Sequence, residues 1–112
     1  MKIKELMNYD FHDSLLENIR VVGENKKIRV EIDFCNWKQN NYVDGTPETL
    51  MIALVFSDVE SAQIPDLKFN SDQIVGFNVS NDKRVVMDAY NDVQQDCYSI
   101  TICAGEVEII VL

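Results

Sequence analysis

The stretch Lys26–Trp37, KKIRVEIDFCNW, alternates apolar and polar residues with a period of two. Ile28, Val30, Ile32 and Phe34 fall on one side, and Arg29, Glu31, Asp33 and Cys35 on the other. Successive side chains of a strand point to opposite faces, so this segment reads as a strand with one buried and one wet face, the pattern of an antiparallel sheet. The preceding run, Leu15 to Val22, is strand-like too. Between them Gly23-Glu24-Asn25 supplies a turn in which Gly23 is free to take positive φ, so the two runs form a hairpin.

Working outward, the same style recurs. Leu50 to Phe56, LMIALVF, is apolar on both sides and suits a central strand. Ser57-Asp58-Val59-Glu60 has the form of a helix capping box, but Pro65 leaves no room for a helix behind it. A kink and a second extended run, Glu60 to Ile64, fit better. Gln73–Val79 and Arg84–Tyr90 form a hairpin around Ser80-Asn81-Asp82. Asn91 to Gln95 turns the chain again, and Cys97–Cys103 and Glu106–Leu112 make a last pair around Ala104-Gly105. On the first of these, Tyr98, Ile100 and Ile102 share a face opposite Ser99 and Thr101. Ile3, Leu6 and Met7 sit at helical spacing and predict a short N-terminal helical turn over residues 2–8. The expected fold is a mainly β, single domain over residues 1–112. It is an antiparallel sandwich or partly closed barrel of about seven to eight strands.

Charge narrows function. Nineteen acidic against ten basic residues in 112 give a net charge of −9. Nucleic acid and anionic membrane surfaces attract basic patches, so neither is an expected partner. The charge serves solubility or steers the protein toward a basic partner. No apolar run approaches the roughly 20 residues that span a bilayer. The N-terminus lacks the apolar stretch and small-residue site of a secretion signal, so a cytoplasmic location is expected. Cys35, Cys97 and Cys103 contain no C-x-x-C unit and read as reduced thiols. A Cys97–Cys103 bridge would need a turn where the sequence reads as strand.

Phe11-His12-Asp13-Ser14 holds the only histidine. A serine nucleophile needs its hydroxyl on the imidazole and an acid on the far ring nitrogen. Three consecutive residues of an extended segment put His12 and Ser14 on one side and Asp13 on the other, so no triad is expected. Zinc would need further ligands, of which Cys35 is the first candidate, and no spacing supplies the set. No metal and no cofactor are expected. The plainer reading has Asp13 or Ser14 bonding to nearby backbone amides, with Phe11 in the core, as a lock between the N-terminal segment and the first strand. Glu17, Glu31 and Asp33 are expected on the outer side of the first hairpin. Trp37, a half-buried cap on the sheet end or a binding aromatic, stands beside them with Tyr42 of the polar loop 38–48.

The elements FHDSLLENI, KIRVEIDF and LVFSDVESAQI resemble a group of small bacterial β domains that open with a Phe/Trp-His-Asp-Ser/Ala element. Some relatives in that group resemble immunity proteins of polymorphic toxin systems. The resemblance rests on Phe11, His12, Asp13, Ser14, Phe56 and Val59, and it carries no catalytic residues. Together with the charge it implies a non-catalytic binding protein that blocks a protein partner, such as a basic toxin. The candidate binding residues are His12, Asp13, Ser14, Glu31, Asp33, Trp37 and Tyr42. The alternative is a small-ligand-binding or hydrolytic domain with a site near His12, Asp13, Asp33 and Trp37. A third reading is a domain that forms a homodimer through an edge strand.

Overall fold

The computed structural model describes residues 1–23, 26–66 and 68–112. Six antiparallel strands follow a 3-10 helix at Ile3–Asn8: β1 (Leu15–Val22), β2 (Lys27–Cys35), β3 (Thr49–Gln63), β4 (Asp72–Ser80), β5 (Arg84–Asn91) and β6 (Asp96–Val111). They form one closed ring in the order β1-β2-β3-β6-β5-β4. The predicted turn at 23–25 begins at Gly23, whose φ is 73°, while Glu24 and Asn25 lie outside the described residues. The turn at Asn81 and Asp82 has φ values of 54° and 56°, the left-handed pair that matches a tight hairpin to the twist of its strands.

The expected seven to eight strands are six, because two pairs of runs are continuous. In β3 the inward positions step by two through Ile52, Leu54 and Phe56, then by three to Val59. In β6 they step by two through Ile100, Ile102 and Ala104, then by three to Val107. The two irregularities face one another, since Phe56 pairs with Val107 and Val59 with Ala104. Asp58, between them, adopts φ 53°, and a Cβ on Gly105 would come within 3.2 Å of the Asp58 Cβ. A glycine there lets the two backbones approach at the bend.

The bends divide the ring. β1, β2, the first half of β3 and the second half of β6 form one side; β4, β5 and the remaining halves form the other. One core fills the space between, with Ile28, Val30 and Ile32 of β2 facing it as the alternation requires. Ile3 and Leu6 of the 3-10 helix join that core, whereas Met7 is exposed. β1 carries a bulge at Glu17, so Leu16 pairs with Ile32 and Asn18 with Glu31. Among the described residues β1 pairs with β4 at Leu15–Gln73 and Leu16–Asp72, which closes the ring.

All three cysteines are free thiols, and Cys97 and Cys103 lie on one uninterrupted strand. No helix among the described residues is long and apolar enough to cross a membrane.

Candidate functional site

The FHDS element sits where the N-terminal segment meets the ends of β2 and β4. Phe11 is buried in an aromatic cluster, stacked on Phe77 at 4.3 Å between centroids and tilted against Phe34 at 5.4 Å. The chain then reverses: Ser14 N–H donates to the Phe11 carbonyl at 3.1 Å, and Asp13 adopts φ 71°. Asparagine and aspartate tolerate this left-handed region better than most residues. Asp13 N–H donates to the Ile74 carbonyl (2.9 Å), and Ile74 N–H donates to the Ser14 carbonyl (2.8 Å). Ser14 is fully buried, and its Oγ accepts the Cys35 N–H at 3.0 Å. The element is a lock, as the sequence suggests, but its partners are β2 and β4 rather than neighbouring amides.

His12 and Asp13 are in contact, contrary to the alternation expected of an extended segment. The positive φ at Asp13 breaks that alternation and brings its Oδ1 to 3.2 Å from His12 Nδ1. Ser14 takes no part, because its hydroxyl points into the core and is engaged by Cys35. A serine nucleophile is therefore unavailable here. The Asp13 carboxylate accepts from Gln73 Nε2 at 2.6 Å and from Lys38 Nζ at 3.1 Å. These two hydrogen bonds, Gln73 first, hold its pKa below the usual carboxylate value. Such a group stays ionised near neutrality, which suits an anchor and not a proton donor.

Lys38 also donates to the His12 carbonyl at 3.2 Å and lies 5.8 Å from the Trp37 ring centroid. Gln39 pins the N-terminal segment: its Nε2 donates to the Asp10 carbonyl (2.8 Å) and the Cys35 carbonyl (2.9 Å), and its Oε1 accepts the Asp10 N–H (2.9 Å). Trp37, in the short 3-10 turn that follows β2, is 52% exposed and so half-buried. Its backbone N–H donates to the Glu48 carbonyl, which leaves the ring to project. Tyr42 serves its own loop, donating through its hydroxyl to the Thr46 carbonyl at 3.2 Å.

Glu31 and Asp33 lie on the outer face of β2. Asp33 stands between Leu15 and Met51, and Glu31 between Asn18 and Ala53. Asn18 Nδ2 donates to Glu31 at 3.3 Å. Glu17 departs from the expected outward row because it occupies the bulge. Among the described residues Asp33 shares no hydrogen bond or ion pair with His12, Asp13 or Trp37. Nor do three histidine, cysteine or acidic side chains gather in metal-binding geometry among the described residues.

Two features escape sequence reading. An apolar cleft of about 220 Å³ opens at the same end of the ring, between the N-terminal segment and the end of β6, with Tyr9, Phe34, Ile52 and Val111 among its walls. At the β1–β4 seam, buried Asp72 accepts from Asn91 Nδ2 at 3.0 Å and from the Tyr98 hydroxyl at 2.5 Å. No pattern in the sequence marks either, since their residues come from distant segments.

Compared with protein-family models, curated proteins and solved structures, the chain has no significant match in any of the three.

Proposed function

We propose that this protein is a non-catalytic, cytoplasmic binding protein whose partner is a basic protein, in the manner of an immunity-type inhibitor. The reading is carried by the outer face of β2, β3 and β6. There Met51, 39% exposed, and Leu112, 54% exposed, are joined through the Leu112 N–H to Met51 carbonyl hydrogen bond of 2.9 Å. Ile110, partly exposed, lies in the next row opposite the fully buried Ala53. Asp33 and Glu31 on β2 border this strip on one side, and Glu108 and Glu106 continue the same face of β6 beyond Ile110. An apolar centre with a charged rim is the ordinary anatomy of a protein interface. The rim and the net charge of −9 select for a basic partner and raise its rate of encounter. The resemblance of the FHDS element to domains related to immunity proteins points the same way. The engaged Ser14 and the anchored Asp13 are consistent with a protein that does no chemistry at that element.

The test is capture from the lysate of the source organism by wild type and by Met51→Glu/Leu112→Glu, at about 50 mM and about 500 mM salt. Wild type is expected to retain a basic protein at low salt and lose it at high salt, while the double variant retains none. Equal capture by both proteins, or no basic protein on wild type, overturns the proposal.

A further inference from the structure

From Asp96 to Cys103, β6 is flanked by β5, and β3 pairs with it from Thr101 onward. Among the described residues, β3 is the one strand that pairs with β6 beyond Cys103. On the opposite side Met1 takes up Val107: the Val107 N–H donates to the Met1 carbonyl at 3.1 Å, and the terminal ammonium donates to the Val107 carbonyl at 2.9 Å. The Val107 backbone therefore points away from β3. In an antiparallel strand alternate residues point the same way, so the N–H and C=O groups of Ile109 and Val111 face that side too. The Leu112 N–H, bonded to the Met51 carbonyl, marks the opposite phase. Among the described residues no strand pairs with Ile109 or Val111 on this side.

An unpaired row of backbone donors and acceptors is a template for another strand. Here the row borders the apolar cleft, into which Ile109 and Val111 direct their side chains beside Tyr9, Phe34, Leu50 and Ile52. The alternate β6 residues, Glu106 and Glu108, belong to the outer acidic face. A strand laid along this edge would extend that face by one strand. Its inward residues would meet an apolar cleft and its outward residues would lie beside Glu108, where cross-strand charge pairing favours lysine or arginine.

We infer that the β6 edge at Ile109–Val111 binds an extended segment of the basic partner, with alternating apolar and basic side chains, as an added strand. This rests on the binding reading above and names the segment it recognises. A second copy of the chain fits less well, because each copy brings its own net charge of −9 to the contact.

The probe is a synthetic capped peptide of alternating lysine and valine, titrated into ¹⁵N-labelled full-length protein at low salt. Two controls accompany it: the same peptide N-methylated at alternate positions to remove strand donors, and a glutamate–valine peptide. The amides of Ile109 and Val111 are expected to shift and to gain roughly tenfold protection from exchange, with the N-methylated peptide roughly tenfold weaker and the glutamate peptide silent. Val111→Pro removes the edge donor without touching a β3 bond. It is expected to keep its melting temperature to within about 2 °C and to lose roughly tenfold in peptide affinity. Silence at Ile109 and Val111, equal binding of the N-methylated peptide, or concentration-dependent dimerisation through this edge overturns the inference. A silent edge beside Met51-dependent capture of a basic protein would sink the added strand alone; loss of that capture would sink the parent proposal.

Discussion

Ser14 Oγ accepts the Cys35 N–H at 3.0 Å inside the protein, where β1 has run out of backbone to offer β2. β1 begins at Leu15 opposite Asp33, and the residue before Ser14 has turned away to bond Ile74 of β4. A side-chain hydroxyl thus substitutes for a ladder partner at the point where three segments meet. Ser14→Ala leaves the Cys35 amide buried and unpaired, which is expected to cost about 1–3 kcal/mol. Urea unfolding of the two proteins measures it; a difference within error would mean that the amide finds another acceptor.

Asp13 makes acid stability sensitive to a neighbouring amide. Its carboxyl is held below the ordinary aspartate value of 3.8, by the Gln73 hydrogen bond first and the Lys38 hydrogen bond second. A carboxyl with a depressed folded pKa contributes stability above its unfolded pKa, about 3.9, and loses it as pH falls through the folded value. NMR titration of the Asp13 carboxyl carbon is therefore expected to show a midpoint below 3.8. Gln73→Ala and Lys38→Met should each raise that midpoint. No change in either variant would contradict the anchoring.

Tyr98 sets the corresponding limit at high pH. Burial first, then its hydrogen bond to Asp72 and the negative charge there, push the phenol well above its usual range. An acid whose folded pKa is raised contributes stability that is complete below its unfolded value, about 10, and fades as pH rises beyond it. With ¹³C-labelled tyrosine, the Tyr98 ζ carbon should keep its phenol shift until the fold opens. Tyr98→Phe deprives Asp72 of a charge-assisted partner and is expected to cost about 1.5–3 kcal/mol at neutral pH. Ionisation of Tyr98 in the intact fold near pH 10 would contradict the account.

The bend shared by β3 and β6 should tolerate glycine and reject branched residues. Asp58 holds φ 53° opposite Gly105. Asp58→Val forces a β-branched side chain into the left-handed region and is expected to cost about 1–3 kcal/mol. Asp58→Gly should fall within about 1 kcal/mol of wild type. Thermal melts of the pair decide the matter, and equal melting temperatures would show that the bend does not depend on this residue's φ.

The same bend explains where the sequence was legible and where it was not. KKIRVEIDF declares its faces because every inward residue is two positions from the next; β2 follows it through Phe34 and departs at Cys35, expected on the wet side but buried. At Phe56–Val59 and Ala104–Val107 the inward step is three, so two continuous strands read as four runs. The site divides in a similar way. Phe11 and Ser14 were readable as a lock because an aromatic and a small hydroxyl residue flank a polar turn. The contact between His12 and Asp13 was not, because alternation presumes an extended backbone and Asp13 is left-handed. Lys38, Gln39 and Gln73 carried no signal at all, being ordinary surface residues until the fold sets them beside Asp10 and Asp13.

Asp72 belongs to the seam twice over. Its backbone is half of the β1–β4 junction, and its carboxylate ties that junction to β5 and β6 through Asn91 and Tyr98. Parting those strands would turn a bracelet into a ribbon with two unsatisfied margins, each able to recruit another ribbon. A chain that closes on itself has no such margins at the seam. The clasp at Asp72, with the Asp13 and Ser14 bonds to Ile74, keeps those margins joined.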